Sequence, residues 1–246
     1  MSKRFILAGA ASVFLMGGAQ AADIIEPTAY DWSGFYAGIH AGYGFSDDDA
    51  QLDGLGGPAW DPYYPVALGE KDLSADGFIG GVQAGYNHQL DSVVIGLEAD
   101  FSYSDIGDDS DETSPPGYFD PFTYKQRYDL NWLGTVRIRA GYAFDRALIY
   151  ATGGFAYGEV DVRHDEQFPV TRYQGDENEI EIGWTIGGGL EYALTDSWSI
   201  KGEYLYYDLG NTKSVADPAP PNPPFQQEFT TDNTGHIVRL GVNLHF

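Results

Sequence analysis

The chain has 246 residues, with 13 Lys and Arg against 37 Asp and Glu, for a formal net charge of −24 at pH 7. So few cations exclude a nucleic-acid ligand, whose phosphates need Lys and Arg for neutralisation. The absence of cysteine removes disulfides, thiolate metal sites and cysteine nucleophiles, while 43% hydrophobic and 15% aromatic residues argue against disorder over most of the length.

The first residues predict export. Lys3 and Arg4 form a positive start, residues 5–18 are apolar and uncharged, and Ala19-Gln20-Ala21 has the small-x-small pattern of a cleavage site. The apolar run is short for a spanning helix, which needs about 20 residues. The sequence therefore divides into a secretory signal at 1–21, a short linker at 22–31 containing Pro27, and one β domain at 32–246.

From Trp32 onward, apolar residues recur at every second position in eight segments. The first carries Phe35, Ala37, Ile39, Ala41, Tyr43 and Phe45, and the second Phe78, Val82, Ala84, Tyr86 and Leu90. The third carries Val93, Ile95, Leu97, Ala99, Phe101 and Tyr103, and the fourth Leu130, Trp132, Val136, Ile138, Ala140, Tyr142 and Phe144. The fifth is ambiguous: Leu148 and Tyr150 fall on one face, Ile149, Phe155 and Tyr157 on the other. The sixth carries Ile180, Ile182, Trp184, Ile186, Leu190, Tyr192 and Leu194. The seventh has Trp198, Ile200, Tyr204 and Tyr206, and the eighth Val238, Leu240, Val242, Leu244 and Phe246. A period of two is one face of a strand. Glycine at this density would cost roughly 1 kcal/mol per residue in a helix interior.

The connections alternate. Asp91-Ser92, Asp145-Arg146 and Thr195-Asp196-Ser197 are tight turns, whereas the links near 46–75, 105–125, 164–178 and 211–233 are long, polar and acidic. Short turns at one end and long links at the other predict an all-β fold: an eight-stranded antiparallel transmembrane β-barrel with four long external loops. The location that follows is the outer membrane of a Gram-negative cell, after export through the inner membrane.

The residues between the apolar positions predict the interior. Glu98, Asp100, Glu191 and Glu203 supply four acids, and Arg137, Arg139, Lys201 and Arg239 four bases. Such charges are costly against lipid and satisfy one another inside. Eight strands leave an interior about wide enough for side chains to fill, so a plug of ion pairs is favoured over a selective pore. Which acid meets which base stays open. The interior glycines Gly38, Gly42, Gly81 and Gly85 leave room for the long side chains.

Several motifs resemble one family. They are Trp32-Ser33-Gly34-Phe35-Tyr36-Ala37-Gly38, Gly80-Gly81-Val82-Gln83-Ala84-Gly85-Tyr86-Asn87, Leu133-Gly134-Thr135-Val136-Arg137-Ile138-Arg139-Ala140-Gly141-Tyr142, and Gly187-Gly188-Gly189-Leu190-Glu191-Tyr192. The chain resembles the small outer-membrane β-barrel proteins of alphaproteobacteria, porin-like proteins that include surface antigens and hemin-binding members. The resemblance implies roles in envelope structure and surface interaction, with lipid and lipopolysaccharide as neighbours, and in some members hemin capture. The terminal Phe246 resembles the signal read by the barrel-assembly machinery. His164, Tyr63, Tyr64 and Tyr118 are the residues of the external links that could ligate hemin iron.

No catalytic or metal motif accompanies these features. The acidic runs Asp47-Asp48-Asp49 and Asp108-Asp109-Ser110-Asp111-Glu112 lack the glycine and terminal glutamate of an EF-hand loop. His88 faces outward in this register with no serine and acid to complete a triad. The sequence therefore predicts a non-enzymatic barrel without a resident cofactor, with a surface receptor for hemin as the alternative.

Overall fold

The structure, a computed structural model, describes residues 30–46, 48–55, 69–73, 75–113, 123–167, 172–219 and 226–246. Ten strands follow in chain order: β1 (Gly34–Phe45), β2 (Asp48–Leu55), β3 (Gly69–Leu73), β4 (Asp76–Leu90), β5 (Val93–Thr113), β6 (Thr123–Phe144), β7 (Ala147–Gln167), β8 (Arg172–Ala193), β9 (Trp198–Ala219) and β10 (Gln226–His245). Eight of them close a ring in the order β1-β4-β5-β6-β7-β8-β9-β10, and β1 pairs back onto β10 from Tyr36↔His245 to Phe45↔His236. The N–H of Phe246 donates to the Phe35 carbonyl at 2.9 Å, so the last residue fastens the seam. The signal and most of the linker lie outside the described residues.

Closure leaves the ring without an edge, and the alternation of Cβ atoms sorts every strand into a wall with two faces. Along β1, Phe35 and Ile39 are 66% and 65% exposed, while Tyr36 and His40 are 2% and 5% exposed. The outward set holds an aliphatic band, including Leu97, Ile138, Ile186 and Leu240, between two aromatic rims. Phe35, Tyr86, Tyr142, Tyr192 and Trp198 lie toward the tight turns, and Tyr43, Phe101, Tyr103, Trp184 and Tyr204 toward the long links. Such rims mark the two interfaces of a bilayer. The ambiguous fifth segment resolves as β7, with Leu148 and Tyr150 inside and Ile149 and Phe155 outside. His88 stands on the outer face.

The tight turns rest on residue chemistry. Asp91 and Asp145 take φ of 54° and 55°, a left-handed conformation that Asp tolerates better than most side chains. In the third turn the Thr195 hydroxyl accepts from the Trp198 N–H at 3.0 Å.

The long links differ from the sequence expectation. The β5–β6 ladder runs on to Thr113↔Thr123, and β7–β8 to Gln167↔Arg172. Most of what the sequence marks as loop is therefore hairpin. The first link contributes a further hairpin, β2–β3, which joins the sheet through β10 from Gln226↔Leu55 to Thr231↔Ala50. The physical reason is that hydrophobic alternation reports a lipid-facing side. Beyond the bilayer neither face meets lipid, so the alternation fades while backbone pairing continues. Four register shifts, at Tyr103/Ile106, Leu130/Trp132, Gln174/Trp184 and Asp232/Thr234, fall near this transition.

Inside, the side chains stack in three layers. Nearest the tight turns is an aromatic and aliphatic floor of Tyr30, Trp32, Val94, Ala143, Leu148, Tyr150 and Ala193. The charged layer lies above it. Above that is an apolar core that includes Ile79, Ile106, Leu130, Leu133, Val160, Leu205, Tyr207 and Ile237.

Candidate functional site: the charged layer of the lumen

Five strands supply the charges: β5 gives Glu98 and Asp100, β6 Arg137 and Arg139, β8 Glu191, β9 Lys201 and Glu203, and β10 Arg239. All eight residues are buried, Arg137 at 0% exposure. Cross-strand register sets some pairs. Glu98 lies opposite Arg137, and Glu203 opposite Arg239; their ion pairs measure 2.5 Å and 2.6 Å. Others cross the lumen. Lys201 lies opposite Glu191 in the ladder, yet its Nζ donates to Glu98 Oε2 on the far wall at 2.9 Å. Glu191 is taken instead by Arg139 at 2.7 Å. Asp100 receives both Arg137 at 2.8 Å and Arg239 at 3.0 Å. Four acids against four bases leave the layer formally neutral.

Hydroxyl and amide groups take up several further valences of these charges, as burial favours, while Asp100 Oδ1 and Arg139 Nε keep no hydrogen-bond partner. The Tyr36 hydroxyl donates to Glu98 at 2.7 Å and accepts from Arg139 at 3.0 Å. The Tyr150 hydroxyl donates to Glu203 at 2.9 Å, and the Arg139 guanidinium lies 3.9 Å from the Tyr150 ring centroid. Thr135 donates to Asp100 at 2.7 Å, and Asn243 to Glu191 at 2.7 Å. Sequence reasoning named neither tyrosine as a partner of the charges. The signal was present in strand parity, since Tyr36 alternates with the outward Phe35 and Ala37.

The floor has its own anchoring. The Trp32 backbone N–H donates to Gln89 Oε1 at 2.9 Å, and the Gln89 backbone N–H donates to the Ser33 hydroxyl at 3.1 Å. The Trp32 ring meets Tyr30 edge-on at 4.8 Å and His245 at 5.6 Å. The end of the linker is thus folded into the mouth of the barrel.

Two serine–histidine contacts deserve a chemical test. His40 Nε2 lies 2.8 Å from Ser102 Oγ and 3.3 Å from Arg239 Nη1, with Gln83 on its other nitrogen at 3.2 Å. Gln83 on the far nitrogen carries no charge to balance an imidazolium, unlike the carboxylate of a Ser-His-Asp triad, and Arg239 crowds the nitrogen that faces Ser102. His245 Nε2 lies 2.9 Å from Ser199 Oγ and 3.4 Å from Glu191 Oε1. Serine and acid share one ring nitrogen there, so the relay order of a triad is not formed.

Of the sequence-named iron ligands, Tyr63, Tyr64 and Tyr118 lie outside the described residues. The backbone of His164 is in the extended part of β7, opposite Gln126 and Gly175, and its side chain lies outside the described atoms. Phe246 is 76% exposed at the rim beside the tight turns. Among the described residues no group of His, Asp or Glu is disposed to hold a metal.

A closed ring of eight antiparallel strands, apolar outside and charged within, pairs its wall backbone from strand to strand without an open edge. That is what a β protein spanning a bilayer requires. The chain belongs to the family of the outer membrane protein beta-barrel domain, whose model matches residues 8–246. It is 35% identical to the 31 kDa outer-membrane immunogenic protein of Brucella melitensis biotype 1, over 99% of this chain and 100% of that protein. It is 31% identical to the 22 kDa outer membrane protein of Rhizobium leguminosarum bv. viciae, over 76% and 79% of the two chains. Among solved structures, the outer membrane protein OprG from Pseudomonas aeruginosa aligns over 87% of this chain and 96% of its own, at 14% identity and a TM-score of 0.45. The protein is an outer-membrane β-barrel of a Gram-negative type.

Proposed function

We propose that this chain is a non-enzymatic barrel, porin-like in architecture but closed, that contributes to envelope structure and carries extended hairpins on the cell surface. The observation that supports this most is the neutral charged layer, which ties β5 and β6 to β8, β9 and β10 across the lumen. A conducting pore needs water along its axis, whereas here long side chains fill the interior between an aromatic floor and an apolar core. The two serine–histidine contacts fail the geometry of a nucleophile, which supports the non-enzymatic reading. Surface display fits the relatives described as immunogenic outer-membrane proteins.

Planar-bilayer recording tests the closed state. The wild type is expected to give no large steady conductance, and Arg137→Ala to raise conductance or produce noisy openings. Steady ohmic current through the wild type, unaltered by Arg137→Ala, would return the reading to an open porin. Hemin titration of the same refolded sample tests the receptor alternative, through a Soret shift that Tyr63→Phe, Tyr118→Phe or His164→Ala would diminish.

A further inference from the structure

Within the bilayer each strand of the ring has two neighbours, but beyond it the sheet opens along one line. The β4–β5 ladder ends at Asp76↔Gly107, whereas β5 runs on against β6 from Asp108↔Tyr128 to Thr113↔Thr123. The chain just before β4 cannot continue along β5 because it is committed on its other side. There β2 prolongs β1, the Ser46 N–H donates to the Ala75 carbonyl at 2.8 Å, and β3 pairs with β2 from Asp48↔Leu73 to Leu52↔Gly69. Among the described residues, β3 pairs with β2 alone and the 108–113 stretch of β5 with β6 alone. In an antiparallel ladder alternate residues turn their N–H and C=O groups away from the partner, so six residues leave about three such pairs of groups on the open side of β5. A strand edge of that kind is a template for a further strand.

Charge then selects the strand. The open stretch of β5 reads Asp108-Asp109-Ser110-Asp111-Glu112-Thr113, and β3, which borders the same opening, reads Gly69-Glu70-Lys71-Asp72-Leu73. Across the β6 ladder, Asp109 and Asp111 have Arg127 and Lys125 on their rungs, while Asp108 and Glu112 have Tyr128 and Tyr124. Half of the acids on this edge therefore have no cation on the rung they share with β6. A second copy of the chain would set these acids against their own kind, and like charges directly opposite one another destabilise a strand pair. A strand with Lys or Arg at alternate positions gains at the same rungs. Backbone pairing supplies the attraction in strand addition, and the alternate side chains supply the choice of partner.

We propose that the open edge of β5, residues 108–113, is a docking site that takes a basic, extended segment of another protein as an added antiparallel strand. This site rests on the reading of the hairpins as surface structures and is independent of whether the lumen conducts. Labelling of Ser110→Cys on intact cells with a membrane-impermeant maleimide checks the surface placement by itself. Binding is tested on the refolded protein in detergent, at about 0.15 M salt to screen loose charge attraction. The probes are three peptides of one length: alternating Lys and Thr, the same peptide with every backbone amide N-methylated, and alternating Glu and Thr. N-methylation removes the backbone donors and keeps the charge. The Lys–Thr peptide is expected to bind and to photo-crosslink to residues 108–113, and the other two to bind at least about tenfold more weakly. Asp108→Asn with Glu112→Gln should weaken the Lys–Thr peptide to a similar degree without lowering the unfolding temperature. The peptide comparison on the wild type decides the matter even if that variant fails to fold. Equal binding of the methylated and unmethylated peptides would overturn the proposal, as would binding of neither or crosslinks confined to other strands. Self-association that the Lys–Thr peptide dissolves would give the edge to a second copy of the chain instead.

Discussion

At the residue scale, the charged layer shows how eight charges are kept out of water. Each carboxylate meets at least one cation, and tyrosine, threonine, serine and asparagine groups take some of the remaining sites. Removing one member leaves its partner charged and buried, at a cost of about 3–5 kcal/mol. Arg139→Ala is therefore expected to lower unfolding stability in detergent by that order, because it strands Glu191. Adding Glu191→Ala should recover part of the loss, and the coupling in a double-mutant cycle measures the pair. A second device recurs with tyrosine and glycine. Tyr36 faces Gly85, Tyr150 faces Gly189, Tyr207 faces Gly235 and Tyr157 faces Gly134, each directly across a ladder. A Cβ on Gly235 would lie 2.6 Å from Tyr207 Cζ. Gly235→Ala should thus destabilise by about 1–3 kcal/mol through overpacking. Combined with Tyr207→Ala it should cost less than the sum of the two changes, as thermal unfolding would show.

At the scale of the strand, period two carries the argument. On β10, Val238 and Leu240 are 52% and 72% exposed, and Arg239 and Asn243 are buried. Spin labels at 238, 240 and 242 should be quenched by a lipid-soluble reagent, and labels at 239 and 243 should be protected. A repeat near 3.6 residues in that profile would reject the barrel. The same logic explains the hairpin extensions. Residues 108–113 of β5 and 123–127 of β6 keep their ladder without apolar alternation, so labels there should be exposed to water rather than lipid.

At the scale of the molecule, three interior layers act in series. The floor is held by Trp32 and Tyr30, the centre by ion pairs and the external side by apolar packing. Opening the floor alone leaves the charged layer shut. Trp32→Ala alone is expected to change bilayer conductance little, and the combination with Arg137→Ala to exceed the sum of the two single changes. Simple additivity would mean that the layers are not separate barriers. The extended hairpins on one side and the tight turns on the other give the molecule a polarity across the membrane.

The sequence by itself determined the class, the ring of eight and the side of most wall residues; the fifth segment stayed ambiguous, and Leu130, expected outside, turns inward at the Leu130/Trp132 register shift. All three follow from local rules: alternation of Cβ atoms, the length of chain needed to cross a bilayer, and turn residues such as Asp91 and Asp145. It also marked the eight interior charges by type and parity. Only the tertiary structure decided their partners. Lys201 passes over its ladder neighbour Glu191 to reach Glu98, because the curvature of the ring brings the far wall within reach of a long side chain. The same holds for Tyr30 and Trp32, whose place in the floor depends on the cavity that eight strands enclose. The β2–β3 hairpin and the long extensions were hidden for a different reason. Their stability comes from backbone pairing between distant segments, which leaves no apolar rhythm in a chain that faces water on both sides.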